Sequence, residues 1–386
     1  MLCNYFSNMN SKKYNNIKLA IGITETVLVF ILTFLFVYSG YSRKLSDILY
    51  SYSDSGYLVL ILFTVITGAI ASVIFFPLNF YSSYILEHKY KLSNQTLLKY
   101  FFENLKSTLV SGVIGIPILL LFYFILNEFG DYWWLVFAIA MFFISVILSQ
   151  IFPILIFPIF YKVKPIEDEE LKERIRKLAA EAGLKVQNVY SFDMSKNTKK
   201  ANAAFTGLGK TKRIILGDTL LSSYSKDEIE TVIAHELGHY KKKHIIKNII
   251  FGTANSFIMF FVISVLYKAS LSWFGFSSIT EIAALPLLTL WAMLIGLIQT
   301  PIGNMLSRKF EYEADQYAIE ATNKPLSFIQ TLNKLTEQNL GDKEPHPFVE
   351  WFFYSHPSIK KRIAAIENFA KEKMIIEPMQ VQEQIS

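Results

Sequence analysis

The chain has 386 residues, 52% of them hydrophobic and only 18% charged, with 33 Phe and 21 Tyr and a mean hydropathy of +0.33. These values exclude a purely soluble fold, because several apolar runs reach the roughly 20 residues that cross a bilayer. The net charge of +6 and the single cysteine, Cys3, exclude two further classes: the cations lie scattered over loops without the aromatic interleaving of a nucleic-acid surface, and one thiol makes neither an internal disulfide nor a thiolate metal cluster.

In chain order, hydropathy predicts six spanning helices, at 17–40, 57–84, 108–127, 132–160, 247–267 and 283–306. The first is too long for a signal-peptide core and lacks a small-residue cleavage site behind it, so it is read as an anchor. The fourth exceeds one straight span, and Pro153 and Pro158 are expected to bend or end it. Lys and Arg gather in alternate connections: Lys12 and Lys13 at the N-terminus, Lys89, Lys91, Lys99 and Lys106 in the second loop, then 161–246 and everything after Ser307. Connection 128–131 has none, and Arg43 and Lys44 are a mild exception. This asymmetry puts the N-terminus, the 161–246 segment and the C-terminus in the cytoplasm, with the cell membrane as the location if the source is bacterial. The expected organisation is a membrane domain with four spans at 1–160, a cytoplasmic catalytic segment at 161–246, two spans at 247–306 and a second catalytic segment at 307–386.

The polar insert 162–224 reads as a small soluble layer. Leu171, Ile175, Leu178 and Ala182 in "DEELKERIRKLAAEAGL" follow helical spacing, with Gly183 as the stop. "VQNVYSF", "ANAAFTGLG" and "KRIILGD" are short β-prone runs separated by turn residues, as in a small sheet. "YSKDEIETVIAHELGHY" resumes helix, with Ser225 as N-cap and Glu228 three residues on.

That last helix carries the chemistry. Residues four apart share a helical face, so His235 and His239 can point their imidazoles at one ion, the spacing of a zinc pair. Glu236 sits beside the first of them, where its carboxylate can take a proton from the attacking water and pass it to a leaving amine. Gly238 removes a side chain next to the site and allows close packing. H-E-x-x-H also arises by chance, so a third ligand decides the matter. "SRKFEYEADQYA" offers Glu311 and Asp315, on one face if the last membrane helix continues past Leu306. Glu311 completes a two-His, one-Glu set with the fourth position open, and Asp315 can hydrogen-bond a ligand imidazole. Glu313 fits a solvated face better.

With these motifs in hand, "HELGHYKKKH", "SRKFEYEAD", "NAAFTG" and "YSHPSIKKRI" resemble those of the type I CaaX prenyl endopeptidases, integral-membrane gluzincin metallopeptidases, and stand in that family's order. The resemblance extends to "LEHKYKLSNQT" in the second loop and "NSFIMFF" in the fifth span. It implies a mainly α, polytopic membrane protein: a ring of about six transmembrane helices around a water-filled chamber, closed at its cytoplasmic end by a zinc metallopeptidase domain containing a small β-sheet. It further implies one Zn2+ on His235, His239 and Glu311, with Glu236 as general base and Asp315 behind a ligand. Asn202 matches a substrate-side asparagine on an edge strand, where an extended peptide could add. His356 and Arg362 match a pair near the metal that can hold substrate or a developing oxyanion. His244, five residues past His239 and off the ligand face, is read as structural. Eukaryotic members have seven spans where six are counted here, the missing one falling between Gly40 and Tyr57; the shorter architecture resembles bacterial homologues.

The implied partners are a lipid bilayer and a peptide or protein substrate, with its prenylation left open; nucleic acid is not among them. Two rival functions stand beside the CaaX reading: a quality-control protease indifferent to prenyl groups, and a transporter or lipid-binding barrel without catalysis. Glu25, inside the first span, keeps the last alive, since an ionisable group at membrane depth usually lines a cavity. It is expected to face the chamber; the alternative is pairing with Lys18 nearer the interface.

Overall fold

The structure is a computed structural model describing residues 2–184, 189–206 and 213–375. Its helices begin with α1 (Leu2–Tyr38), α2 (Tyr41–Tyr50) and α3 (Gly56–Phe80), the last continuing through a π-helical turn (Tyr81–Ile85) into α4 (Leu86–Lys89). Next come α5 (Leu97–Phe129) and α6 (Trp133–Ile151), separated by a 3₁₀ turn at Gly130–Tyr132. Gly130 has φ +48° and ψ −124°, a conformation that favours glycine. A second π-helical turn, Phe152–Ile156, leads into α7 (Phe157–Phe160). Pro153 and Pro158 stand at the starts of these last two pieces. Missing proline N–H groups therefore end the straight part of the span where bending was expected.

Five stretches are long and apolar enough to cross a membrane: Met9–Tyr38, Gly56–Lys89, Leu97–Phe160, His244–Phe274 and Ile282–Thr322. The third contains both α5 and α6, so all six expected spans lie on helices. The interval 41–56 holds only the ten residues of α2, about 15 Å of helix and half of a bilayer core. Five of the six hydrophobic stretches run on into polar ends, and that of α12 reaches into the soluble layer.

That layer contains β1 (Val163–Pro165), α8 (Glu169–Glu181), β2 (Val189–Phe192), β3 (Ala203–Thr206), β4 (Arg213–Gly217) and α9 (Asp218–Ser223). The start of "VQNVYSF" and the end of "ANAAFTGLG" lie outside the described residues. The sheet order is β1-β2-β4-β3, with β2 and β4 parallel and both outer pairs antiparallel. Asp168 caps α8 through its side chain, and Gly183, at φ +82°, closes it with the Leu184 N–H donated to the Ala179 carbonyl. Leu171, Ile175 and Leu178 bury that helix against Val189, Ile214 and Leu216 of the sheet. On the same core lie Ile229, Ile233 and Leu237 of α10 (Lys226–Lys241). Then follow α11 (His244–Ser270), α12 (Pro286–Thr322), α13 (Pro325–Gln338), α14 (Pro347–Phe353) and α15 (Ile359–Glu372).

Polar contacts tie α1 to the helices beside it. Asn79 of α3 donates to Glu25 at 3.1 Å, and Lys18 pairs with Glu87 at 2.7 Å. The alternative of a Lys18–Glu25 pair is thereby overturned. Buried Glu87 draws Lys18 away because it also collects the Tyr14 hydroxyl and Lys200, at 2.5 and 3.0 Å. At the far end of the bundle a cavity of about 600 Å³ is lined mainly by apolar side chains, among them Phe36, Leu60, Trp133 and Leu288. Thr289, on its wall, is about 33 Å along α12 from Glu311 at 1.5 Å per residue.

Candidate metal centre

The site is built where α10 crosses α12. Ser225 accepts the Glu228 N–H while Glu228 accepts the Ser225 N–H, so α10 begins with the expected capping box. Sixteen residues of uninterrupted helix then place His235 and His239 on one face. Pro301 lies inside α12, which nevertheless continues past Leu306 to Thr322 and brings up Glu311 and Asp315. The two helices come close at Gly238: a Cβ there would meet the Ala314 Cα and carbonyl oxygen at 3.0 Å. Glycine is therefore required for the approach, as its place in the motif implied.

His235, His239 and Glu311 converge. Nε2 of His239 is 3.2 Å from Nε2 of His235, and Glu311 is 3.5 Å from His235 and 3.3 Å from His239. A tetrahedral ion with bonds of about 2.0–2.2 Å spaces its donors about 3.3–3.6 Å apart. The fit extends to the protons. Each imidazole uses its other nitrogen in a hydrogen bond, His235 to Asp315 and His239 to His244, both at 2.9 Å. When those nitrogens carry the ring protons, both Nε2 atoms face each other as lone pairs, which only a cation between them relieves. Glu311 Oε2 is buried without a hydrogen-bond partner among the described residues, although His356 Nδ1 stands 2.9 Å away outside hydrogen-bond geometry. Burial opposes charge on His235, but the Asp315 and Glu311 carboxylates prevail and hold the metal-free imidazole up to about 9.

The remaining candidate residues divide into four groups. Asp315 and Arg362 form a fork, with Nε and Nη2 of the guanidinium on the two carboxylate oxygens. Arg362 Nη1 also reaches Glu311 at 3.5 Å, and the side chain is only 11% exposed. Its guanidinium is thus committed to Asp315, which orients His235. His356 is 64% exposed, and its loop is held by buried Glu350, which accepts the Ser358 N–H and pairs with Lys361. Glu236 is partly buried and, among the described residues, its carboxylate makes no hydrogen bond or close ion pair, only a longer-range attraction to Arg362, which leaves its oxygens open to water or substrate. Asn202 lies exposed immediately before β3, an edge strand packed against α10.

Two residues were missed as contributors. His244 and Glu313, read as structural and solvated, are hydrogen-bonded to each other at 2.9 Å behind His239. Helical spacing could not reveal this, because Lys243 breaks the helix with φ +59°.

Two histidines on α10 and a glutamate on α12, with a further glutamate beside them and six spanning helices in the chain, define an integral-membrane metallopeptidase. Residues 165–370 match the model of peptidase family M48, and residues 7–162 match that described as CAAX prenyl protease N-terminal, five membrane helices. The chain belongs to peptidase family M48. It is 32% identical to CAAX prenyl protease 1 of Saccharomyces cerevisiae over 79% of this chain and 71% of that one. It is 31% identical to the uncharacterized metalloprotease YhfN of Bacillus subtilis, covering 92% and 84%. The crystal structure of S. mikatae Ste24p superposes with a TM-score of 0.82 at 28% identity, over 94% of this chain and 89% of that one.

Proposed function

We propose that this metallopeptidase is a zinc endopeptidase that cuts membrane-associated substrates of the CaaX type, with its catalytic segments, 161–246 and 307–386, and both termini in the cytoplasm. The observation that carries the reading is the donor geometry: two facing Nε2 lone pairs and a buried carboxylate at tetrahedral spacing, beside a free Glu236. His235, His239 and Glu311 would hold the ion, which supplies a Lewis acid when bound. Nitrogen and carboxylate donors suit zinc and disfavour soft-metal sites, which need thiolates. Glu236 accepts a proton from the attacking water and returns it to the leaving amine. His356, exposed beside Glu311, can donate to the developing oxyanion. Arg362 and Asp315 fix the ring plane and tautomer of His235. An extended substrate adds to the open edge of β3 next to Asn202, its backbone supplying the missing strand.

The test compares a farnesylated CaaX peptide with its unlipidated twin, using protein purified in detergent with and without chelator, and reads cleavage by mass spectrometry. Chelator-sensitive cleavage between internal residues of the farnesylated peptide is expected. Equal cutting of both peptides and of unfolded membrane proteins would transfer the assignment to a quality-control protease. No cleavage of any substrate at full zinc occupancy would favour the noncatalytic barrel.

A further inference from the structure

The ligand histidines are supported differently. His235 leans directly on Asp315, whereas His239 leans on a second imidazole. His239 Nδ1 meets His244 Nδ1 at 2.9 Å, and His244 Nε2 meets Glu313 Oε2 at 2.9 Å. Lys247 donates to the same Glu313 oxygen at 3.3 Å, and Lys309 stands 4.0 Å from the other.

Several features show that this chain is built. On a continuous helix, residues five apart lie about 140° apart around the axis, so His244 would point away from His239. Lys243 instead takes a left-handed conformation at φ +59° and ψ +32°, separating α10 from α11 and returning His244 beneath His239. A non-glycine residue rarely adopts that conformation, because its Cβ crowds the backbone there. The His244 ring is 1% exposed and stacks on Phe310, centroids 4.2 Å apart and planes 9° apart. Phe310 immediately precedes Glu311, so the ring is packed against the helix that carries the third ligand. Glu313 is about 200° around that helix from Glu311 and approaches from the opposite side.

Proton accounting gives the chain a direction. A metal on His239 Nε2 requires the proton on Nδ1, which donates to His244 Nδ1; His244 must then carry its proton on Nε2 and donate it to Glu313. Each group has one allowed state, and together they fix the tautomer and plane of His239. From the two 2.9 Å contacts, the left-handed bend and the stacking, we infer that His244, anchored by Glu313, is a positioning residue for the metal ligand His239. This rests on reading His235, His239 and Glu311 as the metal site.

The test uses the full-length protein in detergent and measures zinc affinity by chelator competition, together with melting of the metal-free protein. His244→Phe keeps a ring over Phe310 and removes both nitrogens. His244→Gln offers an amide that can accept from His239 and donate to Glu313. The expected result is zinc bound 10- to 100-fold more weakly in His244→Phe, an unchanged metal-free melt, and recovery of most of the affinity in His244→Gln. Glu313→Ala, which leaves the packed ring in place, is expected to weaken zinc severalfold and provides the test if His244→Phe does not fold. Wild-type zinc affinity in His244→Phe, or in Glu313→Ala where that is the variant tested, would overturn the role. So would equal zinc loss in His244→Phe and His244→Gln accompanied by a lowered metal-free melt, since packing alone predicts that pattern. A wild-type protein that binds no zinc would overturn the metal site itself, and this role with it, irrespective of peptidase activity.

Discussion

Replacing Gly238 by alanine adds one methyl group at a tight contact between α10 and α12, the helices that carry the candidate ligands. Its Cβ would sit 3.0 Å from the Ala314 Cα and carbonyl oxygen and 3.2 Å from the Tyr317 Cβ, where carbon contacts are comfortable at about 3.5–4.0 Å. The obstacle is backbone, which no rotamer change can move. Helix α12 must retreat by about 0.5 Å, taking Glu311 and Asp315 on either side of Ala314 with it. Overpacking of this kind costs about 1–3 kcal/mol, while removing glycine from a helix interior recovers about 1 kcal/mol. Stability is therefore a weak readout. Metal geometry is a sharp one, because ligand distances tolerate only about ±0.2 Å. If a 1 Å misplacement costs about 100-fold in rate, half of that costs about tenfold. Gly238→Ala is expected to bind zinc more weakly and, at saturating zinc, to lose about tenfold in kcat/KM, measured by chelator competition and peptide hydrolysis. Wild-type values for both would show that the Gly238–Ala314 contact does not set the position of Glu311.

Other variants separate the site's functions. Glu236→Gln is expected to retain zinc and lose nearly all hydrolysis, because the amide keeps the shape but cannot accept a proton; wild-type turnover would remove Glu236 as base. Glu311→Ala is expected to lose metal together with activity, and stoichiometric zinc in the purified variant would mean that another residue is the third ligand. Lys243→Gly should fold at least as well as wild type, whereas Lys243→Val should melt lower by about 1 kcal/mol or more, since a branched side chain resists the left-handed region; equal melts would contradict the strained bend. Single cysteines at Ser7, Ser223 and Ser386 in a Cys3→Ser background should be equally protected from an impermeant thiol reagent in intact cells, and labelling of one alone would refute the cytoplasmic orientation.

Much of the architecture was legible because the physics responsible for it is local. A run of about 20 apolar residues has few alternatives to a spanning helix, and prolines mark where such a helix bends. Ser225 with Glu228, and Gly183 after Ala182, are end signals whose chemistry acts within one turn. By contrast, β1 is three residues long and carries no periodicity; it exists because β2 offers it a ladder. The pairing of Lys18 was equally out of reach, since it is chosen by Glu87, 69 residues away, and not by its neighbours on α1.

For the site, the sequence alone singled out the candidate donors: H-E-x-x-H on a capped helix and a second acidic pair four residues apart on α12, both consequences of the 3.6-residue repeat. Only the tertiary structure decided what stands behind them. The Arg362–Asp315 fork and the Glu313–His244–His239 chain join segments separated by 47 and 69 positions. One of them depends on a single left-handed residue that no periodic pattern announces. Donor identity follows from side-chain chemistry at fixed helical spacing, whereas donor orientation follows from hydrogen bonds between helices, and those form only once the helices are packed.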